Sequence, residues 1–464
     1  MGVLQHANAM TEGNMVKQII LFTIPLLLGN ILQQLYNTAD VVVVGQFVSA
    51  AALAAVGSSS PIINMLVGFF MGVSTGASAV ISQYFGAGDL HKMRKAVHVT
   101  LFITVILGIV STIVGVALSP WILRMMQTPE EVMVEAVVYL RIYFMGILAL
   151  MIYNMGSAIL RAVGDSKRPL YFLIVTSLIN VVLDVVFVTQ FQMGIAGVAI
   201  ATLIAQVVSA VLVMVVLYNS HELFALHLRG IRYNGPMVKQ ILQIGLPSGF
   251  QQSVTSISNI LVQYYINAFG TAVIAGFSSY LKIDTFLLMP MQSISLAVVT
   301  FVGQNVGARK VARAKRGVTI SAVMAFLVNV VCCVALWFFG DYVLRIFSTD
   351  PEVIASGLEI LHIMLPLYCI LGLTVVYAGA MRGFGEAMVP MVCMTGSFVV
   401  LRQIFLFIST KLNASVDAII YGYPVTWVVA FVTLYGYYRF AHWEKRHFWG
   451  QENAASGQEE EHKS

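Results

Sequence analysis

Asp40, Asp184 and Asp284 are carboxylates set within stretches that are otherwise almost wholly apolar; nearly all the other acids among the 21 in the chain fall in loops, tails or helix ends. A charge at the centre of a membrane-spanning helix costs on the order of 3 kcal/mol by insertion scales, so such residues mark ion or substrate paths. Their neighbours extend the chemistry. Asn30, Gln33, Asn37 and Asp40 follow at intervals of three, four and three residues, which sets them on one helix face as a polar stripe ending in a carboxylate. Gln34 adjoins the stripe. Ser177, Asn180 and Asp184 repeat the three-then-four spacing, and Thr202 and Gln206 stand one turn apart in the next apolar stretch. A carboxylate, an amide carbonyl and a hydroxyl are hard oxygen ligands, so Asp184, Asn180 and Thr202 are the expected site for a proton or a Na+ ion. For Gln33 and Asn37, amide hydrogen bonding between helices is the competing use; for Asp40 such a role requires no charge.

Later in the chain the pattern changes. Ser248, Gln252, Ser256, Asn259 and Gln263 form a neutral stripe with no acid, better suited to the wall of a water-filled cavity than to an ion site. Lys282 and Asp284 are two residues apart, so they point to different sides of their helix. Asp284 either lines the cavity or neutralises a base such as Arg402. The proline at position 25 removes one helix hydrogen bond shortly before the first polar stripe and gives that span a hinge.

The elements that carry these residues are membrane helices. With 59% hydrophobic and 10% charged residues and a mean hydropathy of +0.85, the chain is too apolar for an ordinary soluble surface. A span needs roughly 20 apolar residues, and twelve stretches qualify, six on each side of a polar connector. The reading is an all-α integral membrane protein: an N-terminal tail at 1–16, a six-helix lobe at 17–218, a connector at 219–237, a second six-helix lobe at 238–440 and a polar tail at 441–464. The second half repeats the first at an offset of about 221 residues. Gln83, Gly86 and Ala87 fall on Gln304, Gly307 and Ala308, and Arg161, Gly164 and Pro169 fall on Arg382, Gly385 and Pro390. The acids do not repeat: Asp184 projects onto Phe405, and Asp40 onto Leu261 or Val262.

Of 26 basic residues, 20 fall on the side shared with the N-terminus and three in the opposite loops. By the positive-inside rule both termini are cytoplasmic, and the net charge of +5 requires no nucleic-acid partner. The four cysteines lie in apolar spans without CxxC spacing and read as core packing. No phosphate loop or HExxH motif is present, so the chain is expected to be a transporter rather than an enzyme, to need no cofactor and to take its energy from a gradient or from a partner, with no ATPase partner required.

The segments IPLLLGNILQQLYNTADVVVVGQ, LRAVGDSKRP and LINVVLDVVF followed by GIAGVAIAT resemble the multidrug and toxic compound extrusion (MATE) family, within the superfamily of multidrug, oligosaccharidyl-lipid and polysaccharide exporters. The resemblance spans about residues 15 to 440. It implies two pseudo-symmetric lobes around a central cleft, alternating access, and export of cationic or amphipathic drugs against H+ or Na+ by a monomer surrounded by lipid in the cell (inner) membrane. It assigns coupling to Asp40 and to Asp184 with Asn180 and Thr202, and adds Tyr139 and Asn154 as cavity positions beside Gln33, Gln34, Asn37, Gln206, Gln252, Ser256, Asn259 and Asp284. Some members carry a further acid in the seventh span, where this chain has QQSVTSISN; coupling is therefore expected in the first lobe. The alternative is a flippase for lipid-linked precursors or polysaccharides.

Overall fold

The computed structural model describes residues 10–219, 226, 230–412 and 415–441. The first nine residues, much of the expected connector and the polar tail from 442 onward lie outside the described residues. All regular structure among the described residues is helical: α1 (Met15–Phe47), α2 (Ala50–Ala87), α3 (Leu90–Met125), α4 (Glu130–Ala162), α5 (Lys167–Thr189), α6 (Gly194–Asn219), α7 (Gly235–Ile266), α8 (Thr271–Gly307), α9 (Val311–Leu344), α10 (Pro351–Met364), α11 (Tyr368–Gly383), α12 (Met388–Thr395), α13 (Arg402–Leu412), α14 (Val416–Ile420) and α15 (Gly422–Phe440). A 3-10 turn joins α10 to α11, and a π-helical segment, Gly396–Leu401, joins α12 to α13. Eleven helical segments among the described residues are long and apolar enough to cross a bilayer. The twelfth expected span, α7, has the length, at 32 residues, but its serine, glutamine and asparagine stripe lowers its hydropathy.

Polar side chains start the helices. Asn14, Ser49 and Asp89 accept hydrogen bonds from the amides of Lys17, Ala52 and Lys92 at 3.1, 3.0 and 2.9 Å, which satisfies donors that no helical carbonyl reaches. Hydroxyls within the spans turn back on their own helix, as Thr104 does to the Thr100 carbonyl and Ser293 to that of Met289, both at 2.7 Å. In a solvent without water this disposes of the donor locally. The outward faces are apolar, with Ile113, Leu178 and Phe338 exposed by 64, 65 and 72%, the surface expected of helices solvated by lipid.

The repeat extends to the backbone. α8, α9, α10 and α12 each begin 221 residues after α2, α3, α4 and α5. Gly164 and Gly385 take left-handed φ values of 94° and 96°, and Gly88 and Arg309, also 221 apart, take 71° and 59°. The turn is kept even where the second half has lost the glycine that makes it easy.

The chain divides into two compact units, Met1–Ser256 and Ile257–Ser464. In the first, α4 packs against α2, α3 and α6, and α5 runs between α1 and α6. The first part of α7 crosses α2 within this unit, where a Cβ on Gly72 would collide with the backbone of Gly249 and one on Gly76 with that of Gly245; only glycines allow so close an approach. In the second unit α8 packs against α9, α10 and α11, and α11 against α15, around a core that includes Tyr280, Tyr368 and Trp427.

Candidate functional site

Packing of α1 along α5 brings Asp40 and Asp184 carboxyl to carboxyl, within hydrogen-bonding reach. Asp184 is fully buried. Neither of its oxygens, nor Oδ1 of Asp40, accepts an N–H or hydroxyl hydrogen bond among the described residues, and no base there forms an ion pair with either acid. Two unit charges 4 Å apart repel by about 4 kcal/mol at an effective dielectric of 20. A proton or a monovalent cation between the two carboxyls removes that repulsion and satisfies the orphaned oxygens. Tyr36 and Tyr139 stand close enough to the pair to feel its charge.

One helical turn before Asp184 on α5, the amide of Asn180 is buried, and neither its nitrogen nor its oxygen finds a protein partner among the described residues. It faces a pocket lined by Gln33, Tyr36, Tyr153, Asn154, Thr202 and Gln206 together with apolar residues such as Leu150 and Leu173. Thr202 donates to the Val198 carbonyl at 3.1 Å, and Nδ2 of Asn154 to the Leu150 carbonyl at 3.0 Å. Both residues therefore keep oxygen lone pairs for a ligand. A Cβ at Gly146 would strike Oε1 of Gln206, so the glycine makes room for that carboxamide. The pocket offers amide and hydroxyl groups on an aromatic and aliphatic wall, the make-up of a site that takes small organic molecules.

The structure gathers Gln33, Asn154, Asn180, Thr202 and Gln206 into this pocket and sets Asp40 and Asp184 together just beyond it, towards the carboxy-terminal ends of α1 and α5. Gln34 and Asn37 lie off it, Asn37 being exposed. Gln252 and Ser256 are on α7 in the same unit, where the serine donates to the Gln252 carbonyl at 3.1 Å. Pro25 is buried inside an unbroken α1. In the second unit, Asp284 accepts from the Tyr280 hydroxyl at 3.2 Å, and that hydroxyl lies 3.2 Å from the hydroxyl of Tyr368. Lys282 is exposed and sits over the Phe347 ring at 5.1 Å, turned away from Asp284 as the spacing implies.

Sequence reasoning found Tyr139 but missed Tyr36, Tyr143 and Tyr153. Tyr36 lies three residues after Gln33 and four before Asp40, so extending the same spacing rule to aromatic residues would have found it. Tyr153 and Tyr143 carry no such mark; the hydroxyl of Tyr143 meets Gln206 only because α4 packs on α6.

Comparison with known proteins bears on this arrangement. The MatE family model matches residues 25–186 and 247–408, two copies at the offset of the internal repeat. The chain is 30% identical over 440 residues to the probable multidrug resistance protein YpnP of Bacillus subtilis, covering 94% of this chain and 97% of that one. It is 28% identical over 438 residues to the probable multidrug resistance protein YoeA of the same organism, covering 93% and 94%. Among solved structures, a MOP superfamily transporter from Pyrococcus furiosus superposes with a TM-score of 0.88 at 24% identity, over 95% of this chain and 98% of the other, a likeness of fold.

Proposed function

We propose that this chain, which belongs to the MatE family of multidrug efflux transporters and is thus a membrane transporter rather than an enzyme, exports cationic or amphipathic organic compounds in exchange for H+ or Na+. The observation that carries the reading is the pair of facing carboxyls, Asp40 and Asp184, unanswered by any base among the described residues and set one turn from a pocket lined with amides and hydroxyls.

With both termini in the cytoplasm, as the distribution of Lys and Arg favours, α1 and α5 run outward and the acids lie on the outer side of the pocket. In this cycle a substrate enters from the cytoplasm while the pair carries net negative charge, which favours a cation. A proton or Na+ arriving from outside then binds between Asp40 and Asp184, with the Asn180 carbonyl and the Thr202 hydroxyl as the further oxygen ligands for Na+. The attraction for the substrate falls and it leaves outward. Bending of α1 at Pro25 gives the helix a place to change shape between the two states. A membrane potential of 100 mV supplies about 2.3 kcal/mol per charge, and one pH unit about 1.4 kcal/mol per proton, enough to drive accumulation tenfold or more. One chain contains the pair and the pocket, so the monomer is sufficient.

The test is uptake of a fluorescent cationic dye into inside-out proteoliposomes under a pH gradient or a Na+ gradient imposed separately. Accumulation driven by one gradient supports the reading and identifies the ion; no accumulation under either, across a broad set of cationic dyes, contradicts it.

A further inference from the structure

The second half carries a base where the first carries its acids. By the 221-residue offset, Arg402 and Asn259 project onto Val181 and Thr38, three residues from Asp184 and two from Asp40. Arg402 follows directly on the π-helical segment Gly396–Leu401, and such segments re-aim the residues beside them and are frequent at functional sites. Its side chain is 2% exposed. The guanidinium lies over the Tyr423 ring at 4.1 Å and near the Phe398 ring at 5.5 Å.

Its direct partners among the described residues are all neutral. One terminal nitrogen donates to Oδ1 of Asn259 at 3.3 Å and the other to Oγ1 of Thr426 at 3.2 Å, while Nε has no acceptor among those residues. Charge-assisted bonds to a carboxylate run to about 2.7–2.9 Å, so both contacts are long for a guanidinium. Asp284 is near enough to interact electrostatically, but among the described residues no ion pair within 4.0 Å joins it to Arg402; its carboxyl takes the Tyr280 hydroxyl instead. A stacked, desolvated guanidinium with an unused Nε–H beside two weakly engaged nitrogens is half of a bidentate carboxylate clasp. Asn259 is exposed on α7, so the group occupying part of that clasp sits where an incoming ligand can displace it.

We propose that Arg402 anchors a site in the second half of the chain that clasps the carboxylate of an anionic or zwitterionic amphiphile. The binding is measurable without transport. Asp284 then acts as an internal competitor whose charge weakens the site, the reverse of what a ligand-binding acid would do.

The experiment is equilibrium binding, by fluorescence polarisation, of a rhodamine with a free carboxylate and of its methyl ester. It is done on the full chain in a maltoside detergent, which contains no phosphate. Arg402→Gln is expected to lower the affinity ratio of acid to ester by on the order of tenfold, Arg402→Lys to lower it in part, and Asp284→Asn to raise it. Asn259→Asp, which offers the guanidinium a built-in carboxylate, is expected to lower the ratio and decides the matter if Arg402→Gln is not monodisperse. An unchanged ratio in Arg402→Gln, or in Asn259→Asp where that variant decides, overturns the proposal, as does a fall in Asp284→Asn. Displacement of the acid dye by phosphatidylglycerol also overturns it, by assigning the site to a lipid headgroup. Arg402-dependent binding of the acid without gradient-driven transport of cationic dyes would instead sink the exporter reading and leave this one standing.

Discussion

Asp40 on α1 and Asp184 on α5 meet carboxyl to carboxyl, and no basic side chain among the described residues answers either of them. A pair built for stability alone would carry a counter-charge or be replaced by apolar residues, because buried charge without a partner is costly. The corresponding spans of the second half hold Arg402 with neutral partners, so the repeat duplicates the helices while reversing the charge between them.

Gly146→Ala should push the Gln206 carboxamide out of its place, since the added Cβ meets Oε1 directly. The carboxamide is the far end of a flexible side chain, so it moves aside at little cost to stability. The expected outcome is a loss of dye affinity on the order of tenfold with the coupling ion unchanged, read from KM against Vmax in the vesicle assay; an unaltered KM would remove Gln206 from the binding surface.

Gly88 and Arg309 are a matched pair of turns in which only one has its glycine. Nothing lies within 4 Å of a Cβ built at Gly88, so Gly88→Arg tests backbone strain alone and should cost about 1 kcal/mol. Arg309→Gly should gain up to about 1 kcal/mol. Melting in detergent checks both: the first variant should melt lower than wild type and the second no lower.

Gly72→Val should be far more damaging, because its nearest neighbours are backbone atoms of Ser248 and Gly249 that no rotamer change can move. Separation of α2 from the first part of α7 would cost about 3 kcal/mol or more, seen as poor recovery of monodisperse protein or a large fall in melting temperature. Gly57→Val, in open space on the same helix, is the control and should behave much like wild type.

The acids and the repeat were legible in the sequence for local reasons. A carboxylate in an apolar run stands out residue by residue, and turns such as Gly164 and Gly385 are short and self-contained. The stripe from Gln33 to Asp40 follows from helical periodicity alone, and the structure places Tyr36 on it. Which face meets which was not legible. That Asp184 finds Asp40, and that Asn154 and Gln206 share a pocket with Asn180, depend on how α1, α4, α5 and α6 pack. Arg402 was visible only as a base within a span; its role depends on a π-helical segment and on Thr426 and Asn259, residues far from it in the chain. The α7 helix shows the complementary limit, since the polarity that makes it interesting also hides it from a hydropathy count.

The most direct test of the coupling assignment is gradient-driven dye accumulation in Asp40→Asn, Asp184→Asn and the double variant, compared at equal amounts of reconstituted protein. If the two carboxyls hold the coupling ion as one unit, either single change abolishes uphill accumulation and the double change adds nothing further, with the protein still inserted and monodisperse. Uphill accumulation at the wild-type level in Asp184→Asn would contradict the account.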